Sequence, residues 1–147
     1  DGLQRSLSHT ANKGYETMDG SLLVVDKNNN KAFFAGASQN LILFKNGELE
    51  IIKGSRLHIG GERHNNATYE GHSIDLAEVD CIYLQSDGYR DQLSEKGKIG
   101  IKRMKELLTR IQSRPMNEQM LILDKFILQW MGSEEQTDDI TVVGLKI

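Results

Sequence analysis

An antiparallel α+β domain, with helices packed on sheet, is the fold class this sequence predicts. Three observations carry that expectation. Short apolar runs separated by polar or Asn-Gly turns fill the chain as far as Gln85. From Gly100 to Trp130 the apolar period changes to that of a helix, and residues 140–147 (ITVVGLKI) close the chain as a β-branched run. Strands and helices are thus segregated, which argues against an alternating parallel sheet.

Residues 21–26 (SLLVVD) and 31–37 (KAFFAGA) flank the polar cluster Lys27-Asn28-Asn29-Asn30, at the spacing of an antiparallel hairpin. Residues 41–44 (LILF) and 49–52 (LEII) flank Lys45-Asn46-Gly47-Glu48. Asn-Gly between apolar runs is the strongest short-range hairpin signal, because both turn residues need positive φ. The first half therefore reads as a meander of about four strands. Residues 54–71 hold four glycines and the histidines His58 and His64, with His72 just beyond, and show little periodicity, as expected of a surface loop. Residues 73–76 and 80–85 (DCIYLQ) read as strands. Ile101, Met104, Leu108 and Ile111 share a helical face. Pro115 begins a second helix whose core face is Met116, Met120, Leu123, Ile127 and Trp130, and Gly132 ends it.

Composition narrows the function classes. A chain of 147 residues fits one domain, and a net charge of −3 advertises neither nucleic acid nor anionic lipid as a partner. No apolar run approaches the roughly 20 residues of a spanning helix, and the first residues lack a secretory-signal layout, so a soluble, cytoplasmic domain is expected. The lone cysteine, Cys81, excludes an internal disulfide and a cysteine-based zinc cluster; its place in an apolar strand suggests a buried, inert thiol.

Two acidic turns carry the candidate chemistry. Ser86-Asp87-Gly88-Tyr89-Arg90-Asp91 follows the strand DCIYLQ, and Asp138-Asp139 precedes the terminal strand. If those strands are antiparallel neighbours, Asp87 and Asp138 converge. Converging carboxylates raise each other's pKa unless a cation sits between them, and oxygen-only ligands suit magnesium or manganese. The plainer reading is two ordinary strand-end turns. Arg90 either reaches a substrate phosphate or neutralises the acidic turn, the second being the simpler role. His58, His64 and His72, spaced by six and eight, lack the i, i+4 pattern of a zinc hydrolase, so solvated loop histidines are expected; His9 reads as a helix-end residue.

The run 81–91 (CIYLQSDGYRD) with 136–143 (QTDDITVV) resembles the metal-dependent protein phosphatases of the PPM family, in its bacterial SpoIIE-like branch. There an apolar strand enters S-D-G, another Asp follows three residues after the Gly, and a D-D-[IM]-T-V-V strand closes the chain. Met18-Asp19, residues 34–37 (FAGA), residues 44–49 (FKNGEL) and residues 52–54 (IKG) extend the likeness, which runs from about Leu3 to the end. The resemblance implies an αββα sandwich, a binuclear magnesium or manganese centre, and attack of a metal-activated water on phosphoserine or phosphothreonine. It makes Asp87 and Asp138 metal ligands, lets the chain pass tightly at Gly88, and leaves Asp139 as an outer or alternate ligand, with Asp91 a further candidate. By the same analogy the 54–71 loop is a substrate-selecting flap, and the substrate is a phosphorylated regulator of the anti-anti-sigma-factor type.

An earlier family motif, an aspartate with Gly-His-Gly, is missing. Asp1-Gly2 is a poor substitute, because it lies just before residues 3–10, which resemble a late helix of the family's first half. The expectation is that residues 1–147 form the C-terminal portion of a longer phosphatase domain, weak in metal affinity, inactive or nearly so alone, and prone to self-association through exposed sheet or core surface. The alternative is a non-catalytic domain of this fold that works through protein contacts.

Overall fold

The computed structural model describes residues 16–60 and 68–147. Among the described residues eleven strands run in the order β1 (Thr17–Met18), β2 (Gly20–Asp26), β3 (Lys31–Ala37), β4 (Leu41–Lys45), β5 (Glu48–Ile52), β6 (Ile59–Gly60), β7 (Gly71–Asp75), β8 (Val79–Gln85), β9 (Leu93–Ser94), β10 (Gly97–Lys98) and β11 (Val142–Lys146). The helices are α1 (Gly88–Asp91), α2 (Gly100–Ile111) and α3 (Met116–Met131). The mixed α+β class and its antiparallel pairing are as expected. The chain divides into two compact units, one of residues 1–41 and 52–77, the other of residues 42–51 and 78–147.

In the first unit, β2, β3 and β7 form an antiparallel sheet, and β1 pairs with β6. Alternation places Ala32 and Phe34 of β3 on the buried face, beside Ile74 and the His72 ring, which stacks on Phe34 at 6.1 Å. The β2–β3 turn is the expected one. Asp26 Oδ1 accepts from the N–H groups of Asn28 (3.0 Å) and Asn29 (3.1 Å), and Asn30 takes φ 53°. The Asn29 side-chain amide bound to Asp26 Oδ2 is the main reason this carboxyl lies below its ordinary pKa.

The second unit holds a four-stranded sheet of order β11-β8-β4-β5. Asn46 and Gly47 take φ 50° and 80°, as a two-residue hairpin turn demands, and Asp80 Oδ2 accepts from the Gly47 N–H at 2.7 Å. The expected four-strand meander is corrected here. The two hairpins belong to different sheets, because β7 pairs with β3 whereas β8 pairs with β4. Within the expected 54–71 loop, residues 61–67 lie outside the described residues, while Ser55 bridges to Ala37 and β6 pairs with β1.

The two long helices bury Met104, Leu108 and Ile111 of α2 and Leu123 and Ile127 of α3 against Phe44, Cys81 and Tyr83. Two core assignments are overturned. Ile101, in the first turn of α2, is 44% exposed, and Met120 is 62% exposed. Gln119 takes the buried place on α3, because its amide is fully engaged. Its Oε1 accepts from the Tyr83 hydroxyl at 2.5 Å, and its Nε2 donates to the carbonyls of Gln112 and Arg114. Trp130 does pack on the core margin, with the Arg103 guanidinium 4.9 Å from its ring centroid. Cys81 is buried as expected, and burial pushes its thiol pKa up. No helix among the described residues is long and apolar enough to cross a membrane.

Candidate metal centre

The site lies at one end of the β8–β11 pair, within the second unit. Antiparallel register sets Val142 against Gln85, so the exit of β8 faces the entry to β11. Beyond the ladder Ser86 continues the pairing by other means. Its N–H donates to the Thr141 carbonyl at 2.9 Å, its Oγ donates to the Asp139 carbonyl at 2.9 Å, and the same Oγ accepts from the Thr141 N–H at 2.9 Å. One hydroxyl thus serves two backbone groups across the gap, which is why regular strand hydrogen bonding starts only at Val142.

Asp87 stands at the N-cap position of the single turn of α1 without a side-chain capping bond, and its carbonyl accepts from the Asp91 N–H at 2.9 Å. Gly88 is buried, and a Cβ there would lie 2.3 Å from the Asp139 carbonyl oxygen. Only glycine permits that approach to the Asp139 backbone. Tyr89, also buried, donates its hydroxyl to the Leu123 carbonyl at 2.8 Å and ties α1 to α3.

Ser86 therefore joins the backbone of the two acidic turns at one end of the β8–β11 pair. Asp138 and Asp139 are exposed, and Asp138 Oδ1 accepts from the Asp139 N–H at 2.7 Å. Asp91 is engaged elsewhere, by Lys98 Nζ at 3.1 Å, and Arg90 Nε lies 3.9 Å from its other oxygen. Among the described residues no three His, Cys, Asp or Glu side chains form a group able to hold a metal ion. His58 pairs with Asp19 through Nδ1, and His72 stacks on Phe34. Asp1, His9, His64 and residues 3–10 lie outside the described residues. A groove of about 620 Å³ runs between α3 and β11, lined by Tyr89, Met116, Leu123 and Ile140 but by neither Asp87 nor Asp138.

Two residues were missed by sequence reasoning. Ser86 had a signal, as a hydroxyl placed directly at a strand exit. Gln92 had none: its fully buried amide reaches the backbone 43 and 45 positions later.

The family model described as Stage II sporulation protein E (SpoIIE) matches residues 1–147. No curated protein matches the chain. Among solved structures, the SiaA-PP2C domain of Pseudomonas aeruginosa is similar at 26% identity and a TM-score of 0.85, over 98% of this chain and 57% of that one. A Bacillus subtilis SpoIIE structure, comprising the PP2C phosphatase domain and a fragment of the regulatory domain, is 20% identical with a TM-score of 0.69 over 98% of this chain and 42% of its own. The Mn-presoaked phosphatase domain of the same protein is 18% identical with a TM-score of 0.64, over 90% and 56%. The two SpoIIE structures establish likeness of fold. The chain spans roughly half the length of these relatives. With a family model matched from end to end, the chain belongs to the SpoIIE family.

Proposed function

We infer that this chain is the C-terminal portion of a metal-dependent serine/threonine phosphatase domain, and that Asp87 and Asp138 hold a magnesium or manganese ion. The observation that supports this reading is the Ser86 bridge, which ties the residue before Asp87 to the backbone of Asp139 and Thr141. The donor chemistry fits a hard cation on one side: carboxylate oxygens only, on backbone held by the sheet, with Gly88 and the Asp139 carbonyl in close approach. A bound divalent ion supplies a lowered water pKa and polarisation of a phosphoryl oxygen.

The remaining roles belong to protein groups. Asp138 and Asp87 orient the cation, and Asp139 stands next to them as an outer or alternate ligand. Arg90, beside Asp91, balances the acidic turn. Weak affinity and slow turnover by these 147 residues are part of this reading, since two carboxylates alone would leave a cation mostly hydrated. We take the substrate to be a phosphorylated cytoplasmic regulator of the anti-anti-sigma-factor type, a reading that rests on family resemblance.

Hydrolysis of p-nitrophenyl phosphate with manganese tests this, in the 147-residue chain and in any longer protein containing it. Little turnover is expected from the chain alone, and Asp87-dependent turnover from the longer protein. Brisk Asp87-dependent turnover by the chain would remove the argument for incompleteness. A longer protein that binds no manganese and turns over nothing favours the second reading, a non-catalytic module of this fold, which the absence of a three-ligand group among the described residues also suits.

A further inference from the structure

The segment that carries Asp138 has little structure of its own. Residues 132–139 are exposed and belong to no strand or helix, so burial does not fix their path. On one side of Asp138 the chain is tied to Ser86, through the Asp139 carbonyl and the Thr141 N–H. On the other side it is tied to Gln92. The Gln92 Nε2 donates to the Glu135 carbonyl at 2.9 Å, and Gln92 Oε1 accepts from the Thr137 N–H at 3.2 Å. A second proton of the same amide goes to the Leu93 carbonyl at 3.1 Å.

The side-chain amide thus acts as a peptide group, giving one donor and one acceptor to alternate residues as a strand neighbour would. It is itself immobile. Gln92 is fully buried, and its own carbonyl accepts from the N–H of buried Ile99 at 3.3 Å. Asp138 is therefore slung between two anchors, one directly before Asp87 and one directly after α1. Glutamine is required chemically, since glutamate has no N–H for the Glu135 carbonyl and an apolar side chain serves neither group.

We propose that Gln92 is a positioning residue: its amide sets where the Asp138 carboxylate stands relative to Asp87, and so governs affinity for a divalent cation. This rests on the reading of Asp87 and Asp138 as cation ligands. Partners lying behind metal ligands typically alter affinity by 10- to 100-fold, and the lower end is expected here, because Ser86 remains as the second anchor.

The probe is Mn²⁺ added to the ¹⁵N-labelled 147-residue chain, read as paramagnetic broadening of amide signals, with thermal unfolding followed in parallel. In the unaltered chain, broadening centres on residues 86–91 and 137–141. Gln92→Met is expected to raise the Mn²⁺ concentration for half-broadening about tenfold, and to add nothing further in an Asp138→Asn background. If Gln92→Met does not fold, Thr137→Pro deletes one N–H at an exposed position and is expected to shift the same midpoint in the same direction. Should Asp87→Asn and Asp138→Asn leave the midpoint unchanged, or should the unaltered chain show no such broadening, the cation reading itself fails. Should the aspartate variants shift it while Gln92→Met lowers only the unfolding temperature, Gln92 is structural and the positioning role is overturned.

Discussion

Gly88 shows how one backbone atom constrains the acidic corner. A methyl group at this position meets a carbonyl oxygen, not a side chain that can swing away, so relief requires moving the 138–140 segment. Gly88→Ala is expected to cost about 1–3 kcal/mol in urea unfolding, the usual range for overpacking. Gly71→Ala, where nothing lies within 4 Å of the added carbon, is expected to stay within about 0.5 kcal/mol of the parent. Equal effects at the two sites would mean that the Asp139 carbonyl yields freely. At this scale the sequence was informative about the turns that follow β8 and precede β11, whose backbones approach at Gly88 and Asp139. It was silent about Gln92. A glutamine between an acidic turn and a polar stretch has no periodicity or motif, and its value arises from contacts more than 40 positions away.

At the scale of elements, the contact of β8 and α1 with α3 is polar at its centre. Tyr83 donates to Gln119, and Tyr89 to the Leu123 carbonyl, both from buried positions. Burial raises both phenols and the Cys81 thiol above their ordinary pKa values. A folded-state pKa above the unfolded one means that the stabilisation is complete below the ordinary value and is lost as pH climbs towards the raised one. Stability should therefore hold to about pH 8.5, where a free thiol begins to ionise, and fall more steeply beyond about pH 10. Urea midpoints between pH 7 and 11 test this. The Tyr83→Phe/Tyr89→Phe protein should start lower, having lost two hydrogen bonds, yet decline less with pH; parallel curves would count against the assignment. The same contact explains why helical periodicity placed α3 but misassigned its buried face. A hydrophobicity pattern ranks Met120 above Gln119, and only the tertiary partners of the Gln119 amide reverse that order. The hairpins were legible because Asn46-Gly47 and Asp26 to Asn30 specify their turns locally. Which sheet each hairpin joins depends on pairing with β7 and β8, about which the turns say nothing.

For the whole molecule, the proposed cation binding would be linked to folding. An ion held only by the native corner adds RT ln(1 + [L]/Kd) to stability, which is about 1.4 kcal/mol at ten times Kd and about 3–6 °C in Tm for a chain of this size. Calorimetry with and without manganese should show that increment in the parent chain and its loss in Asp138→Asn. An increment that survives the substitution would place the ion elsewhere. Interleaving of the two units governs how the polypeptide emerges during synthesis. The β4–β5 hairpin is made before β8, with which it belongs, and its Gly47 N–H finds its carboxylate partner 33 positions later. Until those residues leave the ribosome, Ile42 and Phe44 have no sheet to enter and remain an apolar hairpin exposed to chaperones. A nascent chain stalled shortly before Asp80 is accordingly the species most vulnerable to aggregation.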